Sequence, residues 1–147
     1  MPHFRNAVLA DVPFILPLML EFYDFEGIPF DESRATRLLT QLLNDPRCGL
    51  LLIIEHESCI AGYMVVGFGF SIEFGGKDAL LDELFILPKY RGLGLGSEAI
   101  AFAISLCEQA GVEALHLEAD HFNDRAHDLY LRLGFKDHKR HLMTKWL

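Results

Sequence analysis

The residues Arg91-Gly92-Leu93-Gly94-Leu95-Gly96-Ser97 separate an apolar run at 79–87 from a helical pattern at 97–110. A chain that leaves a strand through glycines and then enters a helix keeps several backbone N–H groups unpaired at the helix N-terminus. Those donors and the positive end of the helix dipole form a site for phosphate. Glycine has no Cβ, so the backbone can approach such a ligand closely. The segment therefore points to an anion, and to the pyrophosphate of a nucleotide cofactor first. A P-loop is excluded because no lysine follows Gly96. A dinucleotide fingerprint is excluded because Gly92, Gly94 and Gly96 read Gly-x-Gly-x-Gly and sit past the middle of the chain.

Elements on either side follow from hydrophobic period and turn chemistry. A short strand is expected at 3–8. A helix follows at 14–25, with Asp11 as N-cap, Pro13 in the first turn and a bend at Pro17, and Gly27-Ile28-Pro29 ends it. A second helix starts at Asp31 or Ser33 and places Ala35, Leu38, Leu39 and Leu42 on one face. Strands are expected at 49–54, at 60–70 with a bend or bulge invited by Gly67 and Gly69, and at 79–87. The helix at 97–110 ends before Gly111, a strand alternates over 114–119, and a helix at 123–133 ends before Gly134. A last short strand is expected at 141–145. The order is that of an α/β sandwich with mixed strand pairing, in one domain spanning 1–147.

Composition narrows the partners. A formal net charge of -8 argues against a nucleic-acid binder and suits a cationic ligand. Cys48, Cys59 and Cys107 are odd in number and lack metal-ligand spacing, so they read as reduced thiols of a cytoplasmic protein, with no metal site. No apolar run approaches the ~18 residues of a membrane span, and the N-terminus lacks a signal-peptide layout.

The turn also fits Arg-x-x-Gly-x-Gly through Arg91, Gly94 and Gly96, and that pattern resembles the acetyl-coenzyme A loop of the GCN5-related N-acetyltransferase (GNAT) family. Upstream, Leu81-Asp82-Glu83-Leu84-Phe85-Ile86-Leu87-Pro88-Lys89-Tyr90 is similar to the family's fourth strand and its proline turn. Downstream, Asn123, Ala126 and the Tyr130-Leu131-Arg132-Leu133-Gly134-Phe135 ending resemble the helix that closes the cofactor site. The matches cover residues 79–136 in detail and come in the family's order. The resemblance implies a mostly antiparallel sheet that splays between its fourth and fifth strands, flanked by about four helices, with acetyl-coenzyme A in the wedge. It also implies direct acetyl transfer to a primary amine, a small molecule in preference to a protein tail, without a covalent acetyl-cysteine.

That resemblance assigns roles residue by residue. Arg91, Gly92, Leu93, Gly94, Leu95, Gly96 and Ser97 would face the pyrophosphate, with Arg91 either adding charge or anchoring the loop. Backbone groups of Phe85 and Ile86 would pair with the pantetheine arm, and Asn123 would cap its helix and touch the same arm. Tyr130 would return a proton to the leaving thiolate, although Ala126, Leu129, Tyr130 and Leu133 also form a core-type stripe. For the base, Glu83 interrupts an apolar strand on the face that strict alternation shares with Leu81, Phe85 and Leu87. Glu118 ranks next, followed by His116 and His121. Tyr23, Glu26 and Glu73 are the candidate acceptor contacts, within two clusters of aromatic and acidic residues at 22–31 and 68–74. Dimers are common among relatives, and 60–70 and 141–145 are the candidate pairing edges. The competing reading is a coenzyme A-binding module without catalysis, which would keep the loop and lose the acid and base.

Overall fold

The computed structural model describes residues 2–120 and 124–147. Strand β1 (Pro2–Asn6) leads through a single 3-10 turn into α1 (Val12–Glu26) and then α2 (Glu32–Asn44). Strands β2 (Gly49–His56), β3 (Cys59–Ser71) and β4 (Gly76–Ile86) follow as an antiparallel meander. Helix α3 (Leu95–Gln109), strand β5 (Ala114–Leu117) and helix α4 (Asp124–Arg132) complete the regular elements. The sheet order is β1-β2-β3-β4-β5, antiparallel throughout except for the parallel β4–β5 pair.

The central strands are apolar on both faces, so each face gathers its own helices. Leu51, Ile53, Tyr63 and Phe85 pack against Ile15, Leu18 and Met19 of α1 and Ala35 and Leu39 of α2. Leu52, Ile54, Met64, Val66 and Ala79 pack against Ala99, Ile100, Ala103 and Cys107 of α3, with Tyr130, Leu133 and Phe135 joining from α4 and its exit. Burying a side chain such as Ile15 or Ile100 removes apolar area worth about 2 kcal/mol from water.

Two strands carry an extra residue. In β3 it is Ala61, since Ile54 pairs with Gly62 and Glu55 with Ile60. In β4 it is Asp82, since Val66 pairs with Leu81 and Val65 with Glu83. The expected bulge at Gly67 and Gly69 does not form, because both stay in register opposite Leu80 and Asp78. The bulge at Asp82 resets the alternation of β4. Leu81 packs in the α3 layer while Glu83 joins Phe85 on the α1 face. The shared face expected for Leu81, Glu83, Phe85 and Leu87 is thereby corrected.

Other expectations also change. Residues 135–147 form neither helix nor strand, so the last strand at 141–145 is absent. Their anchors run elsewhere: Arg140 pairs with Glu73, and His138 lies against Phe74 on the β3–β4 turn. The stretch 60–70 is no edge for dimer pairing, because β3 is flanked by β2 and β4. Asp11 occupies the α1 N-cap but does not cap α1 with its side chain. Its carboxylate instead accepts from Val8 N at 2.8 Å and from the Arg5 guanidinium at 2.8 and 3.0 Å. Asp31, not Ser33, caps α2 by accepting from Arg34 N at 3.1 Å.

Candidate active site

The glycine turn lies on the exposed side of the sheet end. Gly92 and Gly94 have φ of 79° and 80°, the left-handed region, and a Cβ on either would meet nothing within 4 Å. Gly94 is the N-cap of α3 and supplies no side-chain cap. The backbone N–H groups of residues 92–97 find no acceptor among the described residues; the next donor, Glu98 N, returns to Gly94 O at 3.1 Å. Open space, unpaired donors and the start of a 15-residue helix fit an anionic group. A Cβ at Gly96 would make only ordinary contact with Ile86 of β4, at 3.7 Å.

The β4–β5 ladder ends at Leu81 opposite Leu117. Beyond it, the rest of β4 has β3 on one side and, among the described residues, no strand on the other. Leu87 N donates to Ala61 O at 2.8 Å, and the Phe85 carbonyl faces Gly62. Strand alternation then turns the backbone of Leu84 and Ile86 toward the open edge. Phe85, expected to offer its backbone there, instead offers its ring. A cavity of about 300 Å³ opens beside this edge, walled by residues 84–86, by Phe22, Phe25 and Glu26 of α1, and by Arg91. Arg91 donates Nε to Ile86 O at 2.8 Å and lays its guanidinium 5.5 Å from the Phe85 ring centre. This is the anchoring contact expected of it.

Glu83 sits two residues before Phe85 on the same face, about 7 Å along the strand. Tyr23 of α1 donates its hydroxyl to Glu83 Oε2 at 2.5 Å, and Tyr63 of β3 donates to Oε1 at 2.7 Å. Burial pushes the Glu83 carboxyl above the usual glutamate range, the two phenol bonds oppose that rise, and neighbouring Asp82 adds to it. Burial, reinforced by the facing Glu83, drives both phenols upward and keeps them protonated donors. Tyr63 went unnoticed in the sequence because it lies within an apolar strand. The signal available was chemical: a phenol with 0% exposure needs a buried hydrogen-bond partner.

Tyr130 lies on α4, half-buried, with its ring 6.1 Å from Phe135, and burial raises its phenol. Glu26 lines the cavity. Glu73 does not; it is exposed on the β3–β4 turn, bound to Arg140 at 3.1 and 2.7 Å. Glu118 follows the end of β5 and is exposed. His116 turns to Asp78 at 3.2 Å and to the Phe74 ring at 4.5 Å. Among the described residues neither Glu118 nor His116 hydrogen-bonds the Glu83 group. Asn123 and His121 lie outside the described residues. Cys107 is buried in the α3 layer, with its thiol pushed up by burial, as expected of packing.

The model of the acetyltransferase (GNAT) family matches residues 16–135, which span both helical layers, the bulged strand and the glycine turn. The chain belongs to the GNAT family. It is 34% identical over 79 residues to thialysine N-epsilon-acetyltransferase of Bos taurus, a match covering 54% of this chain and 46% of that protein. The chain thus spans about half the length of that relative. It is 27% identical to aminoalkylphosphonate N-acetyltransferase of Salmonella typhimurium, over 90% of this chain and 83% of that protein. Among solved structures, an integron cassette protein from the mobile metagenome of Cole Harbour Salt Marsh superposes with a TM-score of 0.87 at 34% identity, covering 98% of this chain and 90% of the other. Among the described residues no helix is long and apolar enough to cross a membrane, and no group of three or more His, Cys, Asp or Glu residues could hold a metal.

Proposed function

We propose that this GNAT-family chain, as one domain spanning 1–147, transfers an acetyl group from acetyl-coenzyme A to a primary amine of a small molecule. One observation carries the reading. A half-buried carboxylate, Glu83, is held by two phenols beside the edge of β4 that β5 leaves open. A module that only bound coenzyme A would have no use for a partly desolvated carboxylate held by two phenols at that place. The relatives named above act on thialysine and on an aminoalkylphosphonate, both small amines, which supports the substrate class. A cytoplasmic setting is consistent with three free thiols.

When bound, acetyl-coenzyme A supplies an acyl group activated as a thioester. The chain's residues do the rest. The N–H groups of residues 92–97 and the dipole of α3 would hold the pyrophosphate, and the Leu84 backbone with the Ile86 N–H would align the pantetheine arm. An alkylammonium has a pKa near ~10.4, so its nucleophilic form is scarce at neutral pH. Glu83 accepts the ammonium proton, directly or through one water, and the freed nitrogen attacks the thioester carbonyl. As the C–S bond broke, Tyr130 would donate its proton to the departing sulfur and would recover one from solvent, which takes the second proton of the nitrogen. Phe22, Phe25 and Glu26 form the acceptor wall. The test is calorimetric titration with acetyl-coenzyme A and desulfo-coenzyme A, followed by amine-dependent thiol release. Micromolar binding of both and turnover of a small amine are expected. Absence of binding by the folded protein overturns the reading, and binding without turnover of any amine returns the protein to a coenzyme A-binding module.

A further inference from the structure

Glu83 touches residues from two other elements, and the two contacts differ in kind. Tyr63 comes from the sheet interior, is fully buried, and has its ring 6.4 Å from Phe85. Tyr23 comes from the last turn of α1, beside Phe22, whose ring stacks on Phe85 at 5.6 Å. Phe22 and Glu26, one residue before and three after Tyr23, both line the cavity. One phenol is therefore built into the sheet, and the other belongs to the wall that would meet the acceptor.

We propose that Tyr63 and Tyr23 are positioning residues for Glu83: Tyr63 fixes one carboxylate oxygen to the sheet, and Tyr23 ties the other to the acceptor wall, so that together they orient the base and favour its charged form. The inference rests on the acetyltransferase reading for its kinetic consequences, but the coupling to Glu83 is a property of the folded chain alone.

The physical argument is one of sign. Burial and neighbouring Asp82 favour the neutral carboxyl. A phenol that donates favours the charged carboxylate, because the neutral acid accepts more weakly. The charged and titratable groups around Glu83 are Asp82 on β4, Tyr63 on β3 and Tyr23 on α1, with Arg34 of α2 acting on Tyr23. No cation hydrogen-bonds the carboxylate among the described residues, so the two phenols provide its direct stabilisation. Removing one hydroxyl leaves the burial and withdraws one stabilising contact. The affinity of Glu83 for its proton must then rise.

The experiment compares wild type, Tyr63→Phe and Tyr23→Phe by two readouts. The first is the pH dependence of kcat and KM for acetyl transfer. The second is the titration of the Glu83 side-chain carboxyl carbon by 13C NMR, assigned with Glu83→Gln, which needs no activity. Each Phe variant should move the acidic midpoint upward by on the order of one pH unit. On the acidic limb this is roughly a tenfold fall in kcat that raising the pH restores. Tyr63→Phe should leave KM for the amine unchanged, and Tyr23→Phe should raise it. Thermal melts identify any variant that has lost its fold, and Tyr23→Phe, at the end of a helix, supplies the test if Tyr63→Phe is unstable. An unchanged or lowered NMR midpoint in both folded variants overturns the inference. If wild type turns over no amine while the midpoints still rise, the acetyltransferase reading fails and the role of the phenols toward Glu83 stands.

Discussion

The glycine turn at 91–97 and the Glu83 carboxylate flank the same length of β4, yet they are built in opposite ways. The turn is backbone chemistry from residues contiguous in sequence. Its donors are N–H groups left without acceptors, and its shape comes from positive φ at Gly92 and Gly94. The carboxylate site is side-chain chemistry from three elements: Tyr23, Tyr63 and Glu83 are separated by 60 and 20 residues. Its charge state is set by burial against hydrogen bonding, whereas the N–H donors of the turn carry no charge that titrates. A site for a phosphate can be local; a site that tunes a proton needs a core around it.

If that division holds, changes in one region leave the other alone. The largest effect is expected from Glu83→Gln, which should lower kcat by roughly 10²- to 10⁴-fold while the acetyl-coenzyme A Kd stays within about twofold. Thiol release and calorimetry measure the two, and a large loss of affinity would show the regions to be one unit. Tyr130→Phe should lower kcat by roughly 10²-fold with Kd again unchanged. If turnover survives, Tyr130 is packing and the proton donor lies elsewhere. Gly94→Ala should do the converse. Holding a Cβ in the left-handed region costs about 1–2 kcal/mol, and the same methyl intrudes where the anion would sit. Acetyl-coenzyme A should bind about tenfold more weakly, with kcat at saturation close to wild type.

The smallest effect sharpens the comparison through pH. Glu83 holds its proton more tightly folded than unfolded, because burial raises it. Its contribution to stability is therefore fullest below the ordinary glutamate range and is lost as pH rises through the folded value. Wild type should lose stability relative to Glu83→Gln on going from pH 4 to pH 7.5, read as a fall in its Tm relative to that of the variant. Gly94→Ala should show a constant offset from wild type over the same range.

The order of elements was legible, since helix and strand periods, Asp31, Gly27, Gly111 and Gly134 act within a few residues of themselves. The turn was legible for the same reason, and Glu83 stood out as a charge in an apolar strand. Three features were not. The face of Glu83 depends on an extra residue at Asp82, and a bulge is visible only as a mismatch between two strands. Tyr63 was hidden among apolar neighbours because its partner is 20 residues away. Glu73, which composition grouped with the acceptor side, is instead held by Arg140, a contact 67 residues long.

The sequence by itself determined that this chain is an α/β sandwich with a glycine turn before α3, because glycine conformations, helix caps and hydrophobic period are properties of short segments. Only the tertiary structure decided which carboxylate is held and by what. Hydrogen-bond partners, strand register and burial arise from contacts between distant segments, and those are what set the protonation of Glu83.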